Sequence, residues 1–208
     1  MTYKESFLRF MVDCGVLTFG EFTLKSGRKA PYFINAGNYH SGAQLMELGR
    51  YYAACIAEHN IPVETVFGPA YKGIPLAAAA AVALVDRKEV KDHGEGGMFV
   101  GKKLTDGEKV VIIEDVMTSG KAMAEVYPKL KSAADVDITG MVITVDRMER
   151  ALEGEKSAVQ AVYEKYGVPV YSIVNMEEII QGIRDEVIPG KEHLDAMLAY
   201  REQYGVKA

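Results

Sequence analysis

Two adjacent acids, Glu114 and Asp115, stand directly after four β-branched apolar residues, Val110 to Ile113, and just before Thr118, Ser119 and Gly120. Such a short, uniformly apolar run predicts a buried strand. The segment KAMAEVYPKLKSA from residue 121 onward predicts a helix. The order is therefore strand, acid pair, small-residue turn, helix. A helix N-terminus offers unpaired backbone N–H groups and a positive dipole end, which attract an anion. Hydroxyls at Thr118 and Ser119 add donors, and Gly120 allows close approach to the backbone. Carboxylates would repel a phosphate, so the acids suit sugar hydroxyls or a hydrated metal ion. Together the stretch could read both ends of a ribose 5-phosphate. An ordinary strand-to-helix turn with a Thr or Ser N-cap explains Thr-Ser-Gly equally well. It leaves unexplained an acid pair at the end of an apolar strand, where desolvation is costly without partners.

Cations recur at four other places. Lys25, Arg28 and Lys29 flank a Ser-Gly turn, with Phe33 close behind; by themselves they read as a solvated hairpin tip and a core aromatic. Tyr71, Lys72 and Gly73 lie between the segment VETVFGPA (63–70) and the apolar IPLAAAAAVALV, a second strand–turn–helix unit. Residues 86–97, DRKEVKDHGEGG, hold Arg87, Lys88, Lys91 and His93 and then three glycines, a composition for a surface loop or for a cationic lid. Asp146 and Arg147 end the apolar segment VDITGMVITVDR; an arginine there serves a salt bridge or a substrate carboxylate.

The elements that carry these residues alternate. Residues 3–14 predict a helix with Phe7, Phe10, Met11 and Cys14 on one side, ended by Gly15. Residues 16–37 predict a small antiparallel β segment outside the main sheet. Residues 42–59 predict a helix with Leu45, Leu48, Tyr52 and Ile56 in a stripe. Strands then follow at 63–70, 110–113, 136–147 and 168–175, and closing helices at 176–186 and 191–204. Strand–helix alternation from residue 63 onward predicts a parallel sheet with helices on both faces. The 208 residues fit a single domain: 1–40 mainly a hood, 41–175 an α/β core, 176–208 C-terminal helices. A net charge of −5 argues against a general nucleic-acid binder. Cys14 and Cys55 have no metal or disulfide spacing and predict buried free thiols. The start, MTYKESFLRF, has no apolar signal region and the longest apolar run is too short for a bilayer, so a cytoplasmic protein without membrane contact is expected.

Several of these segments resemble one family. EDVMTSGKA resembles the phosphoribosyl-diphosphate (PRPP) signature of the type I phosphoribosyltransferases, with Lys121 where a small hydroxyl residue is usual. FTLKSGRKAPYFINAG is similar to the N-terminal segment of orotate phosphoribosyltransferases, GPAYKGIPL to their diphosphate loop, and RKEVKDHGEGG to their catalytic loop. The resemblance covers most of residues 20–150 and is weak beyond 155. It implies the type I phosphoribosyltransferase fold, a central parallel sheet flanked by helices with an N-terminal hood. It implies transfer of the phosphoribosyl group from PRPP to orotate, with Mg²⁺, giving orotidine 5′-monophosphate in pyrimidine biosynthesis.

By the same resemblance, PRPP would be bound by Lys25, Tyr71, Lys72, Arg87, Lys88, Lys91 and His93 and by the run Glu114, Asp115, Val116, Met117, Thr118, Ser119, Gly120, Lys121 and Ala122. Orotate would lie against Phe33 and Ile34, the latter in place of a second Phe, and would be held by Thr118 and Arg147. Lys91, His93 and Asp115 would carry the catalysis, the first two reaching across a homodimer interface from the lid 86–97. The metal would have no direct protein ligand, being held by PRPP and water near Glu114 and Asp115.

Overall fold

The structure is a computed structural model that describes residues 1–24, 26–85, 103–117, 120–151 and 154–206. Helix α1, Tyr3–Asp13, starts at a capping box between Thr2 and Glu5 and buries Phe7, Leu8 and Met11. Gly15, at a φ of +65°, turns the chain out of it. Strands β1, Leu17–Thr23, and β2, Lys29–Ile34, then pair antiparallel as a separate two-stranded sheet, with a register shift between Phe19 and Phe22. A single 3₁₀ turn, Ala36–Asn38, leads to α2, Gly42–Glu58, which is capped by a Ser41–Gln44 box.

The remaining strands are β3, Thr65–Phe67; β4, Lys109–Ile113; β5, Asp137–Asp146; and β6, Val170–Asn175. They form a parallel sheet in the order β3-β4-β5-β6. Helices α3, Gly73–Val85, α4, Lys121–Ala133, and α5, Ala158–Tyr166, connect them, and α6, Met176–Arg184, and α7, Leu194–Tyr204, close the fold. The sheet separates two apolar cores. Val111 and Ile113 of β4 face one, with residues of α1, α2, α3 and α6; Val110 and Ile112 face the other, with Met123, Val126 and Leu130 of α4 and Val162 of α5. The period of two along a fully buried strand produces this division.

Two close approaches fix the side of the sheet that matters below. A Cβ on Gly49 would lie 2.3 Å from the carbonyl oxygen of Ala79, so α2 and α3 pack backbone to backbone. A Cβ on Gly68 would lie 2.0 Å from the Gly73 carbonyl oxygen, and one on Gly73 would lie 3.0 Å from that of Ile113. The turn 68–73 is thereby pressed against the end of β4.

The parallel sheet, its flanking helices and the outlying hairpin agree with the sequence expectation. The strand expected at 63–70 shrinks to Thr65–Phe67, because the chain leaves the ladder at Gly68 and Pro69. Helix α5 had no counterpart in the expectation, although its Ser157–Gln160 capping box and the left-handed Gly167 at its end are written in the sequence. Cys55 is buried as expected, whereas Cys14 caps α1 and is half-buried. Among the described residues no helix is long and apolar enough to cross a membrane.

Candidate active site

Strand β4 delivers the acid pair to the carboxyl edge of the sheet, where an open α/β fold collects ligands. Residues 110–113 are fully buried, so the chain emerges from the core at Glu114. Its path there is pinned on both sides. The Glu114 N–H donates to the Val142 carbonyl at 3.0 Å, and the Tyr52 hydroxyl donates to the Glu114 carbonyl at 2.7 Å. The Asp115 carbonyl accepts from the Thr144 N–H at 2.8 Å and from its hydroxyl at 2.6 Å. Val116 then forms an isolated parallel bridge with Val145.

The two carboxylates are not equivalent. Asp115 is 8% exposed; its Oδ1 accepts from the Val116 N–H at 2.7 Å, and its Oδ2 lies 3.1 Å from Lys72 Nζ. Glu114 is half-buried, and its Oε1 accepts from the Asp115 N–H at 3.0 Å. Burial pushes the Glu114 carboxyl up to about 7, and the neighbouring Asp115 charge adds to the shift; the Asp115 N–H and the more distant Lys72 oppose it. One charge is thus paired, while the other is only partly stabilised near neutral pH. Hydroxyl donors or a cation would relieve it.

Lys72 reaches this pair from the turn after β3, with a side chain 69% exposed although it touches a buried acid. Tyr71 beside it is exposed, and the Ala70–Tyr71 peptide is cis. Lys72, Asp115 and Thr144 line a cavity of about 150 Å³ together with Ala36, Gly37 and Pro75. On the other side, Gly120 opens α4 in the left-handed conformation, at a φ of +67°, with no side-chain cap. Val116, Met117 and Ala122 are half-buried around it. Lys121 points to solvent with a side chain 82% exposed, 3.9 Å from Glu125 one turn on.

At the end of β5, Arg147 lies with its Nη2 3.5 Å from Glu149 Oε2. The Glu149 carboxylate also accepts from the Tyr32 hydroxyl at 2.6 Å and pairs with Arg28 at 3.3 Å, so the hairpin reaches the main sheet here. Phe33, partly exposed, stacks on Phe22 with ring centres 5.5 Å apart, and Ile34 is half-buried against the core.

Of the residues picked from sequence, Lys72 and Asp115 are in direct contact, and Arg147 sits at the end of the adjoining strand. Lys25, Arg87, Lys88, Lys91, His93, Thr118 and Ser119 lie outside the described residues. Thr144, Tyr52 and Glu149 were missed. A lone hydroxyl inside the apolar run of β5 was the available signal for Thr144; nothing local marks Tyr52, whose hydroxyl acts 62 residues away.

Residues 35–172 match the model of the phosphoribosyl transferase domain family. The chain is 47% identical to the orotate phosphoribosyltransferase of Lachnoclostridium phytofermentans over 99% of both chains. It is 50% identical to that of Pseudomonas fluorescens over 98% of this chain and 99% of the relative. The crystal structure of orotate phosphoribosyltransferase from Francisella tularensis superposes with a TM-score of 0.86 at 40% identity, over 96% of this chain and 99% of that one.

The raised Glu114 carboxyl has a consequence for stability. The unfolded group titrates near 4.5 and the folded one near 7, so between these values the folded state holds the extra proton. The contribution of Glu114 is therefore fully present below about pH 4.5 and is lost as pH rises through about 7. Urea unfolding of the wild type and Glu114→Gln across this window should show the wild type losing stability relative to the variant as pH rises. A difference that stays constant with pH would show that the carboxyl is not perturbed.

Proposed function

The chain belongs to the phosphoribosyl transferase family, among the orotate phosphoribosyltransferases, and from that premise we propose how its residues divide the work. The reaction transfers the phosphoribosyl group of PRPP to orotate, giving orotidine 5′-monophosphate and diphosphate in pyrimidine biosynthesis. The bond from the anomeric carbon to diphosphate loosens, positive charge grows on the sugar ring, and N1 of orotate attacks. Catalysis of this kind is positioning and electrostatics, without a covalent enzyme intermediate.

The observation that carries the assignment of roles is the convergence of Lys72, Asp115 and Arg147 at the carboxyl edge of three neighbouring parallel strands. Asp115 and Glu114 accept the ribose hydroxyls and offset the charge that develops on the ring. Tyr71 and Lys72 meet the diphosphate; Lys72 is already held within reach by Asp115. The turn at Val116, Met117, Thr118, Ser119 and Gly120, with Ala122 behind it, receives the 5-phosphate at the start of α4. Lys121 faces solvent beside that turn and contributes long-range attraction. Arg147, with Thr118, takes the orotate carboxylate, and Phe33 and Ile34 wall the ring.

Mg²⁺ fits this donor set as an ion carried by the diphosphate oxygens and water, with Glu114 and Asp115 near its hydration shell. When bound, it neutralises charge on the departing diphosphate. Lys25, Arg87, Lys88, Lys91 and His93 are assigned to the diphosphate side on the sequence resemblance, the last four from the lid 86–97. Both cysteines are free, consistent with a cytoplasmic location for this single domain.

The proposal includes a homodimer that shares the lid. Its support is α3, which is apolar all round yet leaves Ile74, Ala78 and Val82 exposed at successive turns, directly after the site residues Tyr71 and Lys72. A helix of this composition is stable when both faces are covered, and a second copy of the chain covers the outer one.

Two experiments test these statements. Orotate absorbance should fall on adding enzyme, PRPP and Mg²⁺, with adenine, hypoxanthine and uracil inert; turnover of a purine instead of orotate would overturn the substrate assignment. Val82→Glu should convert the dimer to a folded monomer by light scattering and abolish activity. A fully active monomer would sink the shared lid.

A further inference from the structure

The carboxylate of Glu149 is the meeting point of the hairpin, the main sheet and the C-terminal helix. Its side chain is 8% exposed. Tyr32, itself buried and set edge-on against Tyr200, donates its hydroxyl to Oε1 at 2.6 Å. Arg28 Nη1 lies 3.3 Å from Oε2 and Arg147 Nη2 lies 3.5 Å from the same oxygen. Arg28 is fixed in turn by the Ala151 carbonyl and by the ring of Tyr204, 4.7 Å below its guanidinium. The Glu149 backbone bridges Gly205 beyond α7. The carboxylate is therefore held from several elements before any substrate arrives, whereas Arg147 is held by it at one end only. Arg147 Nε is buried and has no hydrogen-bond partner among the described residues.

The charges point the same way. Two guanidiniums share the Glu149 carboxylate, and the nearby Asp146 carboxyl offsets part of the Arg147 charge. Asp146 accepts the Met148 N–H on its Oδ1 at 2.8 Å, so that oxygen is engaged by the main chain and not by the guanidinium. A guanidinium oriented from one side, with donors still free, is suited to a second, incoming carboxylate.

We propose that Glu149 is a positioning residue for orotate recognition. Clamped by Tyr32 and Arg28, it aims Arg147 at the carboxylate of the base. The inference rests on the reading that Arg147 receives that carboxylate. PRPP has no need of this contact, so its use should be insensitive to it.

Wild type, Glu149→Gln, Arg147→Ala and the double variant should be compared for KM of orotate, KM of PRPP and kcat, with Tyr32→Phe as a milder change that removes one anchor and no charge. Glu149→Gln should raise KM for orotate roughly tenfold, and Tyr32→Phe should raise it less, both with little change for PRPP. The double variant should be no worse toward orotate than Arg147→Ala alone, because Glu149 acts through Arg147. Additive losses in the double variant would make Glu149 an independent structural residue and overturn the proposal. So would parallel rises in both KM values, or an unchanged or lowered orotate KM. If Glu149→Gln does not fold, Tyr32→Phe decides, and no selective orotate effect refutes the inference. If Arg147→Ala alone leaves orotate use intact, the reading of Arg147 falls and takes this proposal with it.

Discussion

A carboxylate that must stay charged at the buried end of a strand is the constraint on which the site depends. Leaving Asp115 unpaired there would cost several kcal/mol, so partners must come from other elements. The turn after β3 brings Lys72, which requires the turn to press against β4; the missing side chains at Gly68 and Gly73 permit that approach. β5 brings Thr144, whose hydroxyl and N–H both hold the Asp115 main chain. α2 brings Tyr52 to the carbonyl one residue earlier. Three strands and a helix thus meet at Glu114 and Asp115, and all but the Lys72 contact are to main-chain carbonyls and need no charge.

This arrangement is half-finished, and that is its functional content. Lys72 touches Asp115 yet remains largely exposed, so the lysine can keep its partner and still face an anion. Glu114 sits beside that charge with an elevated pKa, in want of donors. At the neighbouring strand two guanidiniums, those of Arg28 and Arg147, crowd the carboxylate of Glu149. Carboxylates that can offset a sugar ring becoming cationic, and a guanidinium that can take an anionic base, are what the proposed roles require of phosphoribosyl transfer to orotate.

Much of this was legible in the sequence because its signals are local. Four buried residues followed by two acids and a Thr-Ser-Gly turn determine strand, edge and helix start within a dozen positions. The apolar run IPLAAAAAVALV marked α3 as a helix, although only the structure reveals which stripe remains bare. Other parts resisted for physical reasons. Helix α5 is short and went unread despite its capping box, and β3 was overextended because Gly68 and Pro69 follow it. The Glu149 cluster was invisible, since Tyr32 and Arg28 meet it across 117 and 121 residues, and sequence spacing holds no trace of a contact made by tertiary packing.

The role proposed for the Asp115 charge, serving the sugar and not the fold, is separated from a structural role by Asp115→Asn. Asparagine keeps the size and the acceptor that Val116 uses while removing the charge. The unfolding midpoint should stay close to that of the wild type, with kcat/KM for PRPP reduced roughly 10- to 150-fold, as expected for loss of a charge-assisted contact. A folded Asp115→Asn enzyme with full activity would contradict it.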